Sequence, residues 1–163
     1  MLAPGDGSQP LQLIDVRDLA AFAGRLVDNS SSGVYTVTGP RTPLTMRSFL
    51  EEVAAVAGRG VRLVWVDEKW LLQQAVDPPW ERLPYWLPSP EAKGYCGMNN
   101  ARAIDNGLKF TSLADTVRDV LTWYRDGDFA ARDDWVGGVP PSLGLAPELE
   151  ATLLREYREG STE

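Results

Sequence analysis

The chain has 163 residues, 44% of them apolar and 24% charged, with a formal net charge of −7. This composition is that of an ordinary globular domain, and the negative charge argues against a nucleic-acid or anionic-membrane surface, since both need clustered positive charge. The sequence has no histidine and a single cysteine, Cys96, so it offers neither the commonest general base nor a cysteine cluster for a metal. We expect no metal site, no membrane span, no signal peptide and a cytoplasmic location.

The first part of the chain predicts a strand followed directly by a helix. Residues 1–10 are expected to be a loop, since Gly5-Asp6-Gly7 precedes a strand, whereas a dinucleotide fingerprint follows one. An apolar strand is predicted over 11–16 and a helix capped by Asp18 after it. The apolar stripe of that helix is Leu19, Phe22, Ala23, Leu26 and Val27. A second strand is predicted over 34–38, parallel to the first, because a helix of crossover length joins them.

The next stretch predicts a helix, a strand and a short helix. Thr45 is a good N-cap, Leu44 can pack on Phe49 as a hydrophobic staple, and Gly58 suits the left-handed end of the helix near Ala57. A third strand follows over 61–66. Asp67-Glu68 then begin a short helix that runs to about Gln74.

Prolines and aromatic residues dominate 77–98, where regular structure is not expected. Disordered segments are poor in aromatics, so a packed loop is predicted. Two roles stay open for it: a lid over the core, or a wall of an apolar ligand site.

The remaining helices are marked by their caps. Asn99 or Asn100 caps a short helix that ends at Asn106-Gly107. Ser112 to Asp115 is a capping-box-like start for a longer helix that stops near 126–128. Pro147 suits the first turn of a last helix, with acidic residues at its positive end.

Four stretches, in this order and spacing, resemble the C-terminal half of an NAD(P)-dependent epimerase/dehydratase of the extended short-chain dehydrogenase/reductase family. They are Gly5-Asp6-Gly7-Ser8-Gln9 with Ile14-Asp15-Val16-Arg17-Asp18-Leu19-Ala20, Gly33 to Pro40 with Leu44-Thr45-Met46, Ala101 to Phe110, and Leu113 to Tyr124. The resemblance implies an α/β fold that is the C-terminal part of a Rossmann-type enzyme, a small partly parallel sheet with flanking helices. It implies a single unit over 1–163, divided into a strand–helix part (1–58), a substrate-side part (59–132), and a linker with a C-terminal helix (133–163).

The family features that hold the cofactor and perform the chemistry are not in this sequence. Its G-x-x-G-x-x-G turn is absent, and none of the five tyrosines is followed four positions later by lysine. We therefore expect no dinucleotide binding by this chain alone, although NAD or NADP is implied for the complete fold. The matching position for the family's diphosphate-holding arginine is Leu11, which argues against a nucleotide-sugar substrate.

The leading hypothesis is the substrate-binding half of a reductase or epimerase, separated from its cofactor half by truncation, by a misplaced start or by splitting between two chains. The alternative is a stand-alone binding or interaction module that kept the scaffold and lost the chemistry. An enzyme that uses carboxylates alone, at Asp67-Glu68 or Asp133-Asp134, is a third reading. The implied partners are a small-molecule substrate and either a cofactor-binding half or a second copy of this chain. The substrate is expected in a cleft formed by Gln9, Asp15, Arg17, Trp80 and Trp86.

Overall fold

The protein is a mixed α/β structure with two small two-stranded sheets. Its computed structural model describes residues 1–58, 60–74, 76, 82–88, 94–126 and 144–160. The strands are β1 (Leu2–Pro4), β2 (Pro10–Leu11), β3 (Leu44–Thr45) and β4 (Val64–Val66). The helices are α1 (Val16–Asp28), α2 (Met46–Ala57), α3 (Glu68–Leu72), α4 (Ala101–Asp105), α5 (Leu113–Asp126) and α6 (Pro147–Gly160). No helix in these ranges has the length and apolar character needed to cross a bilayer.

The first sheet pairs β1 with β4 in parallel, with Leu2 opposite Val64. The ladder continues past the strands, since the Gly5 N–H donates to the Val66 carbonyl at 2.8 Å. Both strands carry buried apolar side chains, and Val66 is 0% exposed. The prediction of a loop over 1–10 is therefore wrong at β1. Its three residues include Pro4 and are followed by Gly5, and they gain strand structure only from a partner far along the chain.

The second sheet pairs β2 with β3 in the antiparallel sense. Two backbone hydrogen bonds extend it into the first turn of α2: Met46 N–H donates to Gln9 C=O at 2.8 Å, and Arg47 N–H donates to Gly7 C=O at 2.9 Å. The predicted turn at Gly5-Asp6-Gly7 is confirmed, and this pairing fixes it against α2.

Helix α1 begins earlier than predicted, because Asp15 is its N-cap instead of Asp18. The Asp15 carboxylate accepts a backbone N–H of the first turn, which starts the helix at Val16. The predicted strand over 11–16 is consequently wrong beyond Leu11, which pairs within β2. Asp18 lies inside the first turn, where its carboxylate is free to bind a more distant group.

The strand predicted over 34–38 is also wrong. The segment forms no ladder, and its parallel pairing with 11–16 is absent from the part of the chain that the structure describes. Its last carbonyl, that of Thr38, accepts a hydrogen bond from the Asn100 side chain at 2.8 Å. A side chain thus satisfies one of the groups that a neighbouring strand would otherwise bind.

Helix α2 confirms its predicted boundaries. Thr45 Oγ1 accepts the Ser48 N–H at 3.2 Å, and Ser48 Oγ accepts the Thr45 N–H at 3.1 Å, which makes a reciprocal capping box. Gly58 ends the helix with φ +66°, a left-handed conformation that costs glycine little. Leu44 and Phe49, the predicted staple, both pack against the main core.

The later helices also begin near their predicted caps. Asp67 caps α3, while the strand predicted over 61–66 is shorter than expected. Asn99 Oδ1 accepts the first N–H of α4 at 2.9 Å. Ser112 Oγ accepts the backbone N–H of Asp115 in the first turn of α5 at 3.1 Å. Helix α6 opens at Pro147, as the sequence indicates.

The side chains form two separate cores. The smaller core joins α1 to α4 and the segment after it, and consists of Phe22, Ala103 and Leu108. The main core draws on β1, β4, α2, α3 and α6, and includes Leu2, Leu11, Met46, Val66, Leu71, Val76, Leu83, Trp86 and Leu153. A hydrogen bond from the backbone to a side chain ties β1 to α6, because the Leu2 N–H donates to Glu150 Oε1 at 2.6 Å.

Candidate functional site

The most highly bonded polar residue of the described chain is Asp15, which is 7% exposed. Its Oδ1 accepts the Arg17 N–H and Nε at 2.9 Å each, and its Oδ2 accepts Arg17 Nη2 at 2.6 Å. Thr116 Oγ1 of α5 donates to the same Oδ2 at 2.8 Å. The carboxylate therefore joins the start of α1 to the first half of α5.

These contacts determine the charge state of the pair. Hydrogen bonds from the Arg17 side chain hold the pKa of Asp15 well below its ordinary value, although burial acts in the opposite direction. The same hydrogen bonds raise the pKa of Arg17, with a further contribution from Asp119, whose Oδ2 accepts Arg17 Nη1 at 2.6 Å. Asp15 is thus ionised at neutral pH and already engaged, which suits a structural tie better than proton transfer.

A second carboxylate next to it makes a similar link. Asp18 Oδ2 accepts the Thr111 N–H at 2.7 Å, and Asp18 Oδ1 accepts the Thr111 hydroxyl at 2.8 Å. Thr111 lies just before α5, so both acidic side chains of the first turn of α1 connect it to the α5 region.

A groove of about 600 Å³ opens beside these two carboxylates. We call it the Asp18 groove. Its apolar lining is Leu13, Ile14, Pro40, Pro43, Leu44, Leu108, Phe110 and Leu113. Its polar lining is Asp15, Asp18, Arg41, Thr42, Lys109, Thr111, Ser112 and Thr116. The groove is a largely apolar recess with two carboxylates and two cationic side chains around it.

The other predicted site residues lie elsewhere. Gln9 Nε2 donates to the Tyr85 carbonyl at 2.9 Å, which brings the glycine loop to the aromatic segment. Trp86 is 1% exposed within the main core, and its Nε1 donates to Glu68 Oε2 at 3.1 Å. At Trp86, then, the aromatic segment is a lid over the core. Trp80 lies outside the described residues.

The structure therefore divides the predicted cleft into two places. Asp15 and Arg17 are together at the start of α1, and Gln9 is together with the segment of Trp86. The lining of the Asp18 groove includes Asp15 but not Gln9, Arg17 or Trp86. Substrate contact by any of these residues stays a prediction.

The glycine loop has no open space at Gly7. A Cβ at Gly7 would lie 2.6 Å from the Trp65 ring and 2.8 Å from Arg47 Cβ, so side chains of this chain already fill the space beside it. The Arg47 guanidinium stacks over the Trp65 ring at 4.3 Å. The loop also leads from one strand to another, and the N–H groups of Met46 and Arg47 at the start of α2 are already taken by the Gln9 and Gly7 carbonyls.

The sequence reasoning missed four residues of the groove and its supports: Arg41, Lys109, Thr111 and Thr116. No local spacing links them to Asp15 or Asp18. A signal was present in the run Asp15-Val16-Arg17-Asp18, where an arginine sits between two acids at a helix start. That pattern indicates carboxylates that are hydrogen-bonded within the protein.

Comparison with protein-family models, with curated proteins and with solved structures found no match to this chain. Within the described ranges, no group of three or more histidine, cysteine, aspartate or glutamate side chains could hold a metal ion. The mixed α/β fold and the Asp18 groove are therefore the observations from which a function can be argued.

Proposed function

We propose that these 163 residues form the substrate-binding half of an NAD(P)-dependent epimerase/dehydratase-like reductase, which is not catalytic on its own. A cofactor-binding half, joined to it or supplied by a separate chain, would bring the dinucleotide and the catalytic tyrosine and lysine. The observation that carries the proposal is a pair of segments, 12–14 and 34–38, that lie on either side of α1 in the chain and form no sheet among the described residues.

The backbone of these segments supports the proposal. Among the described residues, no backbone-to-backbone hydrogen bond reaches 12–14 or 34–38. The two segments nonetheless pass close together, since a Cβ at Gly39 would lie 2.6 Å from the Leu13 carbonyl oxygen. Backbone N–H and C=O groups that have no backbone partner are a template for a further strand. A sheet supplied by a cofactor half would satisfy both segments.

The side chains of segment 34–38 and of α1 pack against the protein on one side and are exposed on the other. Tyr35 and Val37 pack against the smaller core around Phe22. Val34, at the start of the segment, is 85% exposed. One face of α1 is likewise apolar and exposed, and it consists of Val16, Leu19, Ala20, Ala23 and Val27. An α/β layer needs a second layer over such a face, and the cofactor half is the layer proposed here.

The experiment is reconstitution with the cofactor half that the neighbouring coding sequence is expected to provide. Calorimetric titration of this chain alone with NADH and NADPH should give no micromolar binding, whereas the reconstituted pair should bind one of them. Val34→Glu combined with Val27→Glu should weaken the association of the two halves. Leu72→Glu, a change at a 51% exposed leucine of α3, is the matched control. Micromolar dinucleotide binding by this chain alone would contradict the proposal.

The second candidate is a stand-alone binding module. The observation in its favour is the main core, which is completed by this chain's own α6 through Leu153. A module of this kind would be a stable monomer with no affinity for a cofactor half. Sedimentation of the mixed halves separates the two candidates, because only the leading proposal gives a complex.

A further inference from the structure

The Asp18 groove has an unusual balance of charge for a chain with a net charge of −7. Its two carboxylates already have partners: Asp15 is bound by Arg17 and Thr116, while Asp18 is bound by the backbone and hydroxyl of Thr111. Their acceptor capacity is largely used within the protein. Arg17 neutralises Asp15, whereas the partners of Asp18 are neutral, so one carboxylate charge remains on this wall of the groove.

The two cationic side chains of the groove are in the opposite situation. Arg41 and Lys109 are both exposed, and neither makes an ion pair or a hydrogen bond with any residue in the described ranges. They come from two different segments, the turn before β3 and the stretch before α5. The positive charge that is free to act in the groove thus exceeds the negative charge.

The interior of the groove is apolar. Leu13 and Ile14 come from the segment before α1, Leu108 and Phe110 from the segment after α4, and Leu113 from the start of α5. Leu108 is 2% exposed and belongs to the smaller core, so this wall is held in place by packing. A volume of about 600 Å³ lies in the range of small-molecule sites.

We propose that the Asp18 groove binds a small molecule with an apolar body and one carboxylate group. The apolar body lies on Ile14, Leu108 and Phe110, and the carboxylate is held by Arg41 or Lys109 through a charge-assisted hydrogen bond. This inference goes beyond the proposed function, because it concerns binding by this chain alone and needs no cofactor half.

The test uses three probes with the same octyl chain: octanoate, octanol and octyltrimethylammonium. Each is titrated into the protein below its aggregation concentration, and binding is followed by calorimetry and by amide chemical shifts. Octanoate should bind roughly tenfold more tightly than octanol, since a hydrogen bond to a charged group adds that much affinity. The cation should bind more weakly than the alcohol. Shifts should concentrate at 108–113 and around Ile14.

Variants distinguish the groove from the rest of the surface. Arg41→Ala with Lys109→Ala should remove the tenfold preference for octanoate while leaving octanol binding unchanged. Arg62→Ala, a change at another exposed arginine, is the matched control and should preserve the preference. Thr42→Trp places a large side chain at an exposed position of the lining and should weaken both probes.

Three results would overturn the inference. The first is equal binding of octanoate and octanol, which would mean an apolar gap without charge selection. The second is an equal loss of the octanoate preference in the Arg62 control. The third is the absence of binding by any probe together with a dimer that light scattering detects, which would mean that a second copy of the chain covers the groove.

Discussion

Thr116, in the first half of α5, donates a 2.8 Å hydrogen bond to the buried carboxylate of Asp15, which caps α1 101 residues earlier in the chain. The Asp15 side chain thus performs two tasks: it accepts a free backbone N–H in the first turn of α1, and it anchors α5 beside that helix. Arg17 adds a third strong contact to the same carboxylate. The arrangement predicts that the coupling of the two helices depends on this group.

Removing the Asp15 carboxylate should destabilise the whole protein. Asp15→Ala takes away the N-cap and leaves the Thr116 hydroxyl and the Arg17 guanidinium without their partner. The expected loss is about 2 kcal/mol in the free energy of unfolding, as measured by urea denaturation. Asp28→Ala, at the exposed last residue of α1, is the control. Equal losses from the two changes would contradict the role given to Asp15.

The same group predicts a pH dependence on the acid side. The pKa of Asp15 is lower in the folded protein than its ordinary value of 3.8. Its stabilising contribution is therefore fully present above that ordinary value and is lost as the pH falls through the lower folded pKa. The difference in stability between the natural protein and Asp15→Asn should be constant from about pH 5 to 8 and should shrink below about pH 4. A difference that stays constant down to about pH 2 would count against the prediction.

The glycine loop allows a matched pair of substitutions. Gly5 and Gly7 both have positive φ, +67° and +79°, so alanine at either position costs about 1 kcal/mol of backbone strain. A Cβ at Gly5 meets nothing within 4 Å, whereas one at Gly7 lies 2.6 Å from the Trp65 ring. Gly7→Ala should therefore cost about 1–3 kcal/mol more than Gly5→Ala in thermal or urea unfolding. Similar costs for the two substitutions would mean that the Trp65 side chain moves aside with little loss of stability.

Substitution of Trp86 tests whether the aromatic segment is a lid over the core or a wall of a ligand site. Its side chain is 1% exposed, so Trp86→Ala should cost about 3–5 kcal/mol of stability. Trp86→Phe keeps part of the ring and removes the Nε1–H that binds Glu68, so it should cause a smaller loss, which combines the lost hydrogen bond with a smaller cavity. If Trp86→Ala instead folds normally and weakens substrate binding in the reconstituted pair, the residue is a wall of the cleft.

The exposed face of α1 predicts self-association of the isolated chain. Val16 and Val27 are 73% and 78% exposed on this face, and an uncovered apolar helix face tends to find a partner. Val16→Glu with Val27→Glu should reduce both the scattering mass at high concentration and the binding of a hydrophobic dye. Leu72→Glu, outside the face, should change neither. A natural protein that is already a clean monomer without dye binding would contradict the prediction.

Local signals in the sequence predicted the helices well. Thr45 and Gly58 set the ends of α2 through groups within four residues of themselves, and the structure has both as expected. The strands were harder, because their partners are distant. Leu2–Pro4 becomes a strand only because Val64–Val66 lies beside it. The residues over 34–38 have strand-forming side chains, but no strand among the described residues pairs with them.

The residues of the candidate site divide in the same way, into those predicted from nearby sequence and those that depend on distant partners. Asp15 and Arg17 were predicted as site residues because they lie at the end of the predicted strand over 11–16, and the structure brings them into direct contact. Thr111 and Thr116 could not be identified, because their only connection to this run is made by the packing of α5 against the start of α1. Asp18 was mistaken for the cap because both aspartates satisfy the residue preference, and the backbone conformation at Asp15 decides between them.

The contact between the Leu2 N–H and Glu150 Oε1 has a consequence for folding during synthesis. The two residues are 148 positions apart, so a ribosome that adds about 5–20 residues per second makes the acceptor roughly 7–30 s after the donor. The smaller core around Phe22 needs nothing beyond Phe110 and can assemble on the nascent chain well before that. The main core waits for Leu153, so β1 stays incompletely covered until α6 has been made.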